Sequence, residues 1–235
     1  TVLSGSLFAR KSDKSFNSEI GVPLTILGCR NGWSNPFLWL RNVIEGAMLI
    51  ILPNHYPKLL ILEVGADRPG DIENIAKWLK PDIAVITKLA DVPVHVEFFE
   101  NVEALYKEKS FLVQAVKSDG VVILNSDDED VLSMREFAPA RVLLFGTKAP
   151  AEVIARGYSI SYDTYDNKIV PNGITFDVSH GGEVAKVTLF GGLGVQHLYS
   201  ALAGVAVGAT LDIKLDKMTK ALHKHESPRG RMKIL

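Results

Sequence analysis

The sequence predicts an α/β protein in which a mostly parallel sheet is flanked by helices and carries a small antiparallel β appendage. Two observations predict the parallel part: short runs that are apolar on both faces, and helical patterns between consecutive runs. A third observation predicts the appendage, because after Gly146 the segments alternate and are separated by glycine turns. Strand, helix and strand in succession favour right-handed βαβ units.

Four short runs have the character of buried strands. A strand covered on both faces shows continuous rather than alternating apolarity, because neither face meets water. Each run is rich in leucine or β-branched residues and is bounded by proline, glycine, aspartate or asparagine. The runs are Leu59–Val64, Ile83–Thr87, Val121–Asn125 and Arg141–Phe145.

Two segments between these runs have the period of an amphipathic helix, with apolar residues three or four positions apart. The first segment is Asp71–Leu79, and its apolar stripe consists of Ile72, Ile75, Ala76 and Leu79. The second segment is Val102–Val116, and its stripe consists of Leu105, Lys109, Leu112 and Val116. A lysine on such a stripe is unexpected unless it is paired, modified or reaching for solvent at the stripe's margin.

The most apolar stretch of the chain is Phe37–Leu52. It contains Arg41, Asn42 and Glu45, whereas a helix that crosses a bilayer needs about 20 mostly apolar residues. The stretch is therefore predicted to be a buried or half-buried amphipathic helix, with a peripheral membrane contact as the alternative, and no integral membrane segment is expected.

The second half of the chain begins with antiparallel strands and ends in helices. Alternating segments predict strands at Ile154–Tyr162, Gly173–Val178 and Glu183–Phe190, with a turn at Gly181-Gly182. Helices are predicted at Gln196–Thr210 and Lys214–His223. Gly191-Gly192-Leu193-Gly194 lacks the Gly-Lys-Ser/Thr ending of a phosphate loop, so a plain turn into the helix is predicted.

Composition places the chain among ordinary globular proteins. It has 235 residues, of which 47% are hydrophobic and 23% are charged, and its net charge is −1. This balance gives no electrostatic case for nucleic acid or an anionic membrane as a bulk partner. The single cysteine, Cys29, excludes an intrachain disulfide and is consistent with a cytoplasmic protein.

Polar side chains follow two of the predicted strands. Glu63 ends the first run, where a carboxylate is well placed to hold Mg²⁺ against phosphate oxygens, although it could equally be structural. His95 follows the next run and should reach the same sheet edge. Asn125-Ser126-Asp127-Asp128 could contact a nucleotide, or Ser126 or Asp127 could cap the next helix.

These pieces, in this order, resemble the central domain of the Mur ligases, a P-loop-NTPase-like domain. The resemblance is strongest to the branch that adds D-alanyl-D-alanine to a UDP-linked muramoyl tripeptide. It rests on Phe16–Thr25, Glu63–Ile72, His95-Val96-Glu97, Lys109, Asn125–Asp128 and Gly230-Arg231-Met232. Each motif is weak alone, but their joint order and spacing are specific.

The resemblance implies an ATP-dependent amide ligase of peptidoglycan precursor synthesis. ATP would phosphorylate a substrate carboxylate, and an amine would attack the resulting acyl phosphate. By this resemblance Glu63 and His95 hold magnesium, and Lys109 is carbamylated. The nucleotide and substrate contacts it implies are Arg231 at the ATP phosphates, Asn125, Asp127, His197 and Ser200 at the nucleotide, and Asn17 and Glu19 at the substrate.

The chain also departs from the family pattern. The phosphate loop expected before Thr1 is absent, and Gln196–Ser200 replaces the family's His-Asn-x-x-Asn, which puts adenine recognition in doubt. Residues 1–227 are interpreted as an incomplete central domain and residues 228–235 as a linker, so the chain alone is expected to be inactive. A cyanophycin-synthetase-like or folylpolyglutamate-synthase-like ligase, or a non-catalytic Mur-like binding module, are the alternatives.

Overall fold

A computed structural model of the protein describes residues 1–3, 5–12, 16–89 and 98–225. The chain divides into two compact units. The sheet unit consists of Thr1–Ser6, Lys80–Pro93 and Leu112–Leu235. The α2 unit consists of Leu7–Leu79 and Val94–Phe111.

The sheet unit is built on six strands in the order β3-β4-β5-β6-β7-β8. The strands are β3 (Ile83–Ile86), β4 (Val121–Asn125), β5 (Arg141–Gly146), β6 (Val153–Tyr165), β7 (Lys168–His180) and β8 (Glu183–Phe190). The first four are parallel neighbours, and the last three are antiparallel neighbours. In β4 the side chains of Val122, Ile123 and Leu124 are fully buried, as continuous apolarity predicts. The predicted α/β class is therefore confirmed.

The antiparallel appendage is continuous with the parallel sheet. Strand β6 joins β5 in parallel through only two register pairs, Phe145 with Val153 and Gly146 with Ile154. Strands β6 and β7 each have 13 residues, and they are longer than predicted because the far end of this hairpin is exposed on both faces. A strand end without a buried face has no reason to alternate apolar and polar residues.

Three α-helices complete the described part of the sheet unit. They are α5 (Glu129–Ser133), which runs into a 3₁₀ turn at Met134–Phe137, α6 (Val195–Thr210) and α7 (Leu215–His223). Helix α6 buries Leu198, Ala201, Leu202, Ala203, Val205, Ala206 and Gly208. Small residues dominate this list, so the helix can approach its neighbours closely.

The α2 unit contains two short strands and several helices. They are β1 (Ala9–Lys11), α1 (Gly21–Leu27), α2 (Pro36–Ile51), β2 (Leu59–Ile61) and α3 (Asp71–Leu79). Helix α4 (Val102–Gln114) crosses the boundary between the units at Phe111. Strand β2 pairs in parallel with β1 in a separate two-stranded sheet. The first predicted strand is therefore shorter than Leu59–Val64 and lies outside the six-stranded sheet. The predicted meeting of Glu63 with His95 involves a residue outside the described ranges.

Helix α2 corresponds to the predicted helix Phe37–Leu52, but its burial is the opposite of the prediction. Asn35 caps it by accepting from the backbone N–H groups of Phe37 and Leu38, and Pro36 occupies the first turn. Only Asn42 and Gly46 are buried. The expectation of a buried or half-buried apolar face is wrong, because the polar side of the helix faces the protein. Within the described ranges, no helix combines the length and apolarity that crossing a bilayer requires.

Candidate functional site

Glu63 lies two residues beyond the end of β2. Its backbone N–H is 3.4 Å from the Ser12 hydroxyl oxygen, which it contacts as a donor, and its side chain is exposed. The carboxylate makes no hydrogen bond or ion pair with the residues that the structure describes. An exposed carboxylate without an internal partner is available to a cation, and carboxylate oxygen is the ligand that Mg²⁺ prefers.

The loop that follows Glu63 is held by the carboxylate of Asp71 at the start of α3. Asp71 Oδ2 accepts the backbone N–H groups of Asp67 and Arg68 at 2.9 and 2.8 Å. A carboxylate in the first turn of a helix also interacts favourably with the helix dipole. The loop between β2 and α3 is therefore ordered by its own sequence-local contacts.

A second carboxylate, that of Glu108 on α4, reaches the same helix terminus from a distant part of the chain. It accepts the backbone N–H groups of Gly70 and Ile72 at 2.9 and 2.7 Å, and that of Glu73 at 3.1 Å. Glu108 is only 4% exposed. It satisfies N–H groups that a helix start leaves without intrahelical partners. Sequence analysis missed this residue, although its position three residues after Leu105 places a carboxylate on the apolar stripe.

Lys109 follows Glu108 directly and is half-buried. Burial lowers the pKa of the Lys109 ammonium below its ordinary value. No carboxylate among the described residues is paired with it. The prediction placed Lys109 on the apolar stripe of α4, and its half-burial fits that place, because the buried Leu105 and Val113 lie one turn before and one turn after it. A desolvated amine without a counter-charge is chemically reactive because its neutral form is more populated.

Glu19 lies at an open cleft within the α2 unit, and Asn17 contacts Gly65 of the loop between β2 and α3. The carbonyl of Asn17 accepts the Gly65 N–H at 2.9 Å, and a Cβ at Gly65 would lie 2.7 Å from Asn17 Nδ2. A side chain at Gly65 would therefore displace the Asn17 amide. Glu19 lines the cleft, which has a volume of about 460 Å³ and is also lined by Ser18, Ile20, Asp67, Arg68, Asp71 and Phe98. The Arg68 guanidinium lies 5.6 Å from the ring centre of Phe98, a cation–π distance.

In the sheet unit, Asn125 is committed to internal hydrogen bonds. Its Nδ2 donates to the carbonyl of Thr87 at 2.8 Å, and its Oδ1 accepts the backbone N–H of Asp127 at 3.0 Å. It is 2% exposed and joins the carboxyl ends of β3 and β4. The predicted helix cap at Ser126 or Asp127 is wrong, because Asp128 caps α5 by accepting from Val131 N–H.

Asp127 is used for a tertiary contact instead. Its Oδ2 accepts the backbone N–H and the hydroxyl of Thr147 at 2.6 and 2.7 Å, and the hydroxyl of Tyr199 at 3.0 Å. Burial and this hydrogen bond raise the pKa of Tyr199 to about 12. Oδ1 of Asp127 is buried and has no partner among the described residues. Thr147 and Tyr199 were missed, since only the fold brings residues 20 and 72 positions away to Asp127.

His197 and Ser200 lie in the first turns of α6. The backbone N–H of His197 donates to the carbonyl of Gly194, which has a φ of 105° and begins the helix as glycine allows. The Ser200 hydroxyl donates to the carbonyl of Gln196 at 2.8 Å. His197 is half-buried and Ser200 is exposed. Because a hydroxyl that donates to the backbone can still accept, Ser200 retains an acceptor for a ligand.

The two remaining predicted site residues, His95 and Arg231, lie outside the described residues. Within the described ranges, no group of three or more histidine, cysteine, aspartate or glutamate side chains is arranged to hold a metal ion. Of the two predicted metal ligands, Glu63 lies within the described residues and His95 lies outside them.

The fold and the polar groups after its strands place the protein in the α/β class, whose open parallel sheets bind ligands beyond the carboxyl ends of the strands. The family model described as the Mur ligase middle domain matches residues 44–208. The chain therefore belongs to the Mur ligase middle domain family.

Two curated relatives carry the same name. The chain is 32% identical over 130 residues to the UDP-N-acetylmuramoyl-tripeptide–D-alanyl-D-alanine ligase of Mycobacterium leprae, which covers 55% of this chain and 20% of that protein. It is 23% identical over 229 residues to the ligase of that name from Bacillus subtilis, which covers 94% of this chain and 39% of that protein. The chain thus spans less than half the length of either relative.

Two solved structures have a similar fold. MurF from Acinetobacter baumannii superposes with a TM-score of 0.73 and 19% identity, over 97% of this chain and 42% of that one. MurF from Thermotoga maritima in complex with ADP superposes with a TM-score of 0.70 and 21% identity, over 97% of this chain and 44% of that one.

Proposed function

We propose that the full-length protein is an ATP-dependent ligase that adds D-Ala-D-Ala to UDP-MurNAc-tripeptide in the cytoplasm. ATP would phosphorylate the tripeptide carboxylate, and the amine of the dipeptide would attack the acyl phosphate and release phosphate. The observation that carries the reaction class is the match of residues 44–208 to the Mur ligase middle domain. The choice of D-Ala-D-Ala is supported by the names of the relatives from Mycobacterium leprae and Bacillus subtilis.

Magnesium is the proposed metal, and Glu63 and His95 are its proposed ligands. The exposed Glu63 carboxylate, which has no internal partner among the described residues, fits a cation that binds through one or two carboxylates together with water and phosphate oxygens. Bound magnesium would neutralise charge on the phosphoryl oxygens. The protein's own contribution there is an exposed carboxylate two residues beyond the end of β2.

Lys109 is proposed to carry a carbamate. Its nitrogen would attack carbon dioxide, form an N–C bond and release a proton, so that the cation becomes an anion. This step requires the neutral amine, and burial favours that form by lowering the pKa of Lys109. The proposal also accounts for a half-buried lysine that has no carboxylate partner among the described residues.

Nucleotide binding is proposed for His197 and Ser200, with Arg231 at the phosphates. Ser200 supports this role because it is exposed and keeps an acceptor. Asn125 and Asp127 are proposed to support the nucleotide site from the strand ends. Their internal bonds to Thr87, Thr147 and Tyr199 favour positioning over direct contact.

Substrate binding is proposed at the cleft beside Glu19. Asn17 supports it through the loop at Gly65, and Glu19 contributes a carboxylate to the cleft wall. Arg68 in the same wall is a cation that could pair with an anionic substrate group.

The test is phosphate release from ATP by the full-length protein with UDP-MurNAc-tripeptide and D-Ala-D-Ala, omitting each in turn. We expect release only when both are present. A parallel reaction with UDP-N-acetylmuramate and L-alanine examines the activity named for the Aquifex aeolicus relative, which is 26% identical over 156 residues. Release in that reaction alone would contradict the D-Ala-D-Ala assignment, and release in neither would contradict both.

A further inference from the structure

One carboxylate joins the carboxyl ends of β4 and β5 to helix α6. Asp127 lies just after β4, Thr147 directly follows β5, and Tyr199 lies in the second turn of α6. Asp127 Oδ2 accepts the backbone N–H and the hydroxyl of Thr147. The same oxygen accepts the hydroxyl of Tyr199. All three residues belong to the sheet unit, so a single atom connects the start of α6 to two neighbouring strand ends.

The start of α6 needs a tertiary contact of this kind, because its own sequence restrains it weakly. Gly194 begins the helix with a φ of 105° and has no side chain to cap the first N–H groups. Val195 and Gln196 in the first turn are exposed. Leu198 is the first buried residue of the helix, and Tyr199, the next residue, supplies the polar contact. The first turns are therefore held by these two side chains and not by a side-chain cap at Gly194.

The Tyr199 hydroxyl is a persistent donor to this carboxylate. Burial and the hydrogen bond to Asp127 raise the pKa of Tyr199 to about 12. The hydroxyl therefore keeps its proton at neutral pH and can donate throughout the range in which the protein would be assayed. A hydrogen bond to a carboxylate is also stronger than one between two neutral groups. The contact is thus able to set where the second turn of α6 lies.

Ser200 depends on the placement of the helix that carries it. Its hydroxyl donates to the Gln196 carbonyl of the same helix at 2.8 Å, and its side chain is exposed. Among the described residues this bond holds the hydroxyl to α6 and not to the sheet. Successive residues of a helix are rotated by about 100°, so the direction of Tyr199 determines the direction of Ser200. Loss of the Tyr199 bond would release both together.

We propose that Tyr199 is a positioning residue for the nucleotide, because its bond to Asp127 holds the start of α6 at the carboxyl edge of the sheet. Ser200 and His197, which this part of the helix carries, are thereby kept in place before the nucleotide arrives. The inference rests on the nucleotide role proposed above for these two residues. A group that is already in place has less freedom to lose on binding, which favours affinity.

The test is calorimetric titration of ADP, with magnesium present, into the full-length protein and its Tyr199→Phe variant. We expect the variant to raise the Kd for ADP by about fivefold, because only molecules with the start of α6 in place bind the nucleotide. The KM for ATP in the ligation assay should rise by a similar factor. The kcat and the KM for D-Ala-D-Ala should stay unchanged, since neither depends on how α6 meets the nucleotide.

The matched control is Thr175→Val on β7, which also removes one hydroxyl donor from the sheet unit. Thr175 Oγ1 donates to the carbonyl of Val187 at 3.0 Å, so both variants lose a side-chain hydrogen bond. We expect the control to bind ADP as the wild type does. An equal rise of the Kd in both variants would overturn the proposal, because general stability would then account for the affinity. Circular dichroism checks that every variant is folded.

The action of Tyr199 through Asp127 is tested by a double-mutant cycle. In the background of Asp127→Ala, Tyr199→Phe should not change the Kd for ADP further, because the acceptor is already absent. Effects of the two substitutions that multiply would contradict positioning through Asp127. A wild-type protein that binds no ADP would contradict the proposed function as well. Wild-type binding with an unchanged Kd in Tyr199→Phe would overturn only the role of Tyr199.

Discussion

Helices α2 and α6 are both 16 residues long and rich in apolar residues, yet α6 buries that surface and α2 exposes it. The same contrast holds for polar groups in the two units. In the sheet unit, Asn125 and Asp127 are bonded to residues of that unit. In the α2 unit, the Lys109 amine has no carboxylate partner among the described residues. Helix α6 thus completes its packing within the sheet unit, whereas α2 leaves its apolar side exposed.

The largest expected effect tests the two helices directly. Leu202 on α6 is fully buried, whereas Ile50 on α2 is 87% exposed. Leu202→Ala should lower the free energy of unfolding by about 2–5 kcal/mol through lost burial and a cavity. Ile50→Ala should change it by no more than about 0.5 kcal/mol. Urea unfolding of both variants measures the difference, and equal losses would mean that α2 is packed against protein.

The second prediction concerns the unpaired amine of Lys109. Lys109→Ala should reduce ATP-dependent ligation by roughly 100-fold or more, because it removes the anionic group proposed to form there. Added bicarbonate should not restore activity. Lys107→Ala is the control, since Lys107 is exposed on the same helix. Wild-type activity in Lys109→Ala would exclude the carbamate.

The third prediction concerns Glu108, the one carboxylate that is buried in the described part of the α2 unit. Glu108→Gln should lower the free energy of unfolding by about 1–3 kcal/mol, because the amide loses the charge-assisted bonds to the start of α3. Hydrogen exchange of the Gly70, Ile72 and Glu73 amides should accelerate at the same time. The exposed Glu103→Gln on the same helix should leave both measurements unchanged. Unaltered exchange in Glu108→Gln would show that α3 does not need this cap.

The smallest expected effect concerns the polar contacts of the sheet unit. Tyr199→Phe should lower the free energy of unfolding by about 1 kcal/mol, since Asp127 keeps its two contacts with Thr147. The pKa of Tyr199 is raised to about 12, so its contribution is present below the ordinary value of about 10 and is lost as the pH rises through 12. Between pH values of about 10 and about 12, the free energy of unfolding of the wild type should therefore fall as the pH rises, and that of Tyr199→Phe should lack this contribution. Identical pH dependence would contradict the Tyr199–Asp127 bond.

The parallel sheet and α6 could be predicted because burial on both faces leaves its signature in the residues themselves. The burial of α2 could not. Its pattern indicates that the helix has two unlike sides, but the choice of the inward side depends on tertiary contacts such as Asn42 with the carbonyl of Arg30. A helical period does not show which of the two sides of a helix packs against the rest of the protein.

The candidate site also contains residues that the sequence reveals and residues whose roles depend on the fold. Glu63, Lys109 and Asn125 could be found because each is a polar residue in an otherwise apolar setting. The roles of Glu108 and Tyr199 could not, because their partners are 35 to 38 and 72 residues away in the chain. The cap of α5 was assigned to the wrong residue because Asp127 is already engaged by Thr147 and Tyr199.

Glu108 and Lys109 are adjacent on α4, so any rotation of the helix about its axis moves both side chains together. Successive helical residues point about 100° apart, so one turn of the helix carries a structural anchor and a reactive amine in fixed angular relation. Inserting one residue before Glu108 would rotate both away from their positions together, and no compensating change at either residue could restore the other. The start of α3 therefore serves as an angular reference for Lys109.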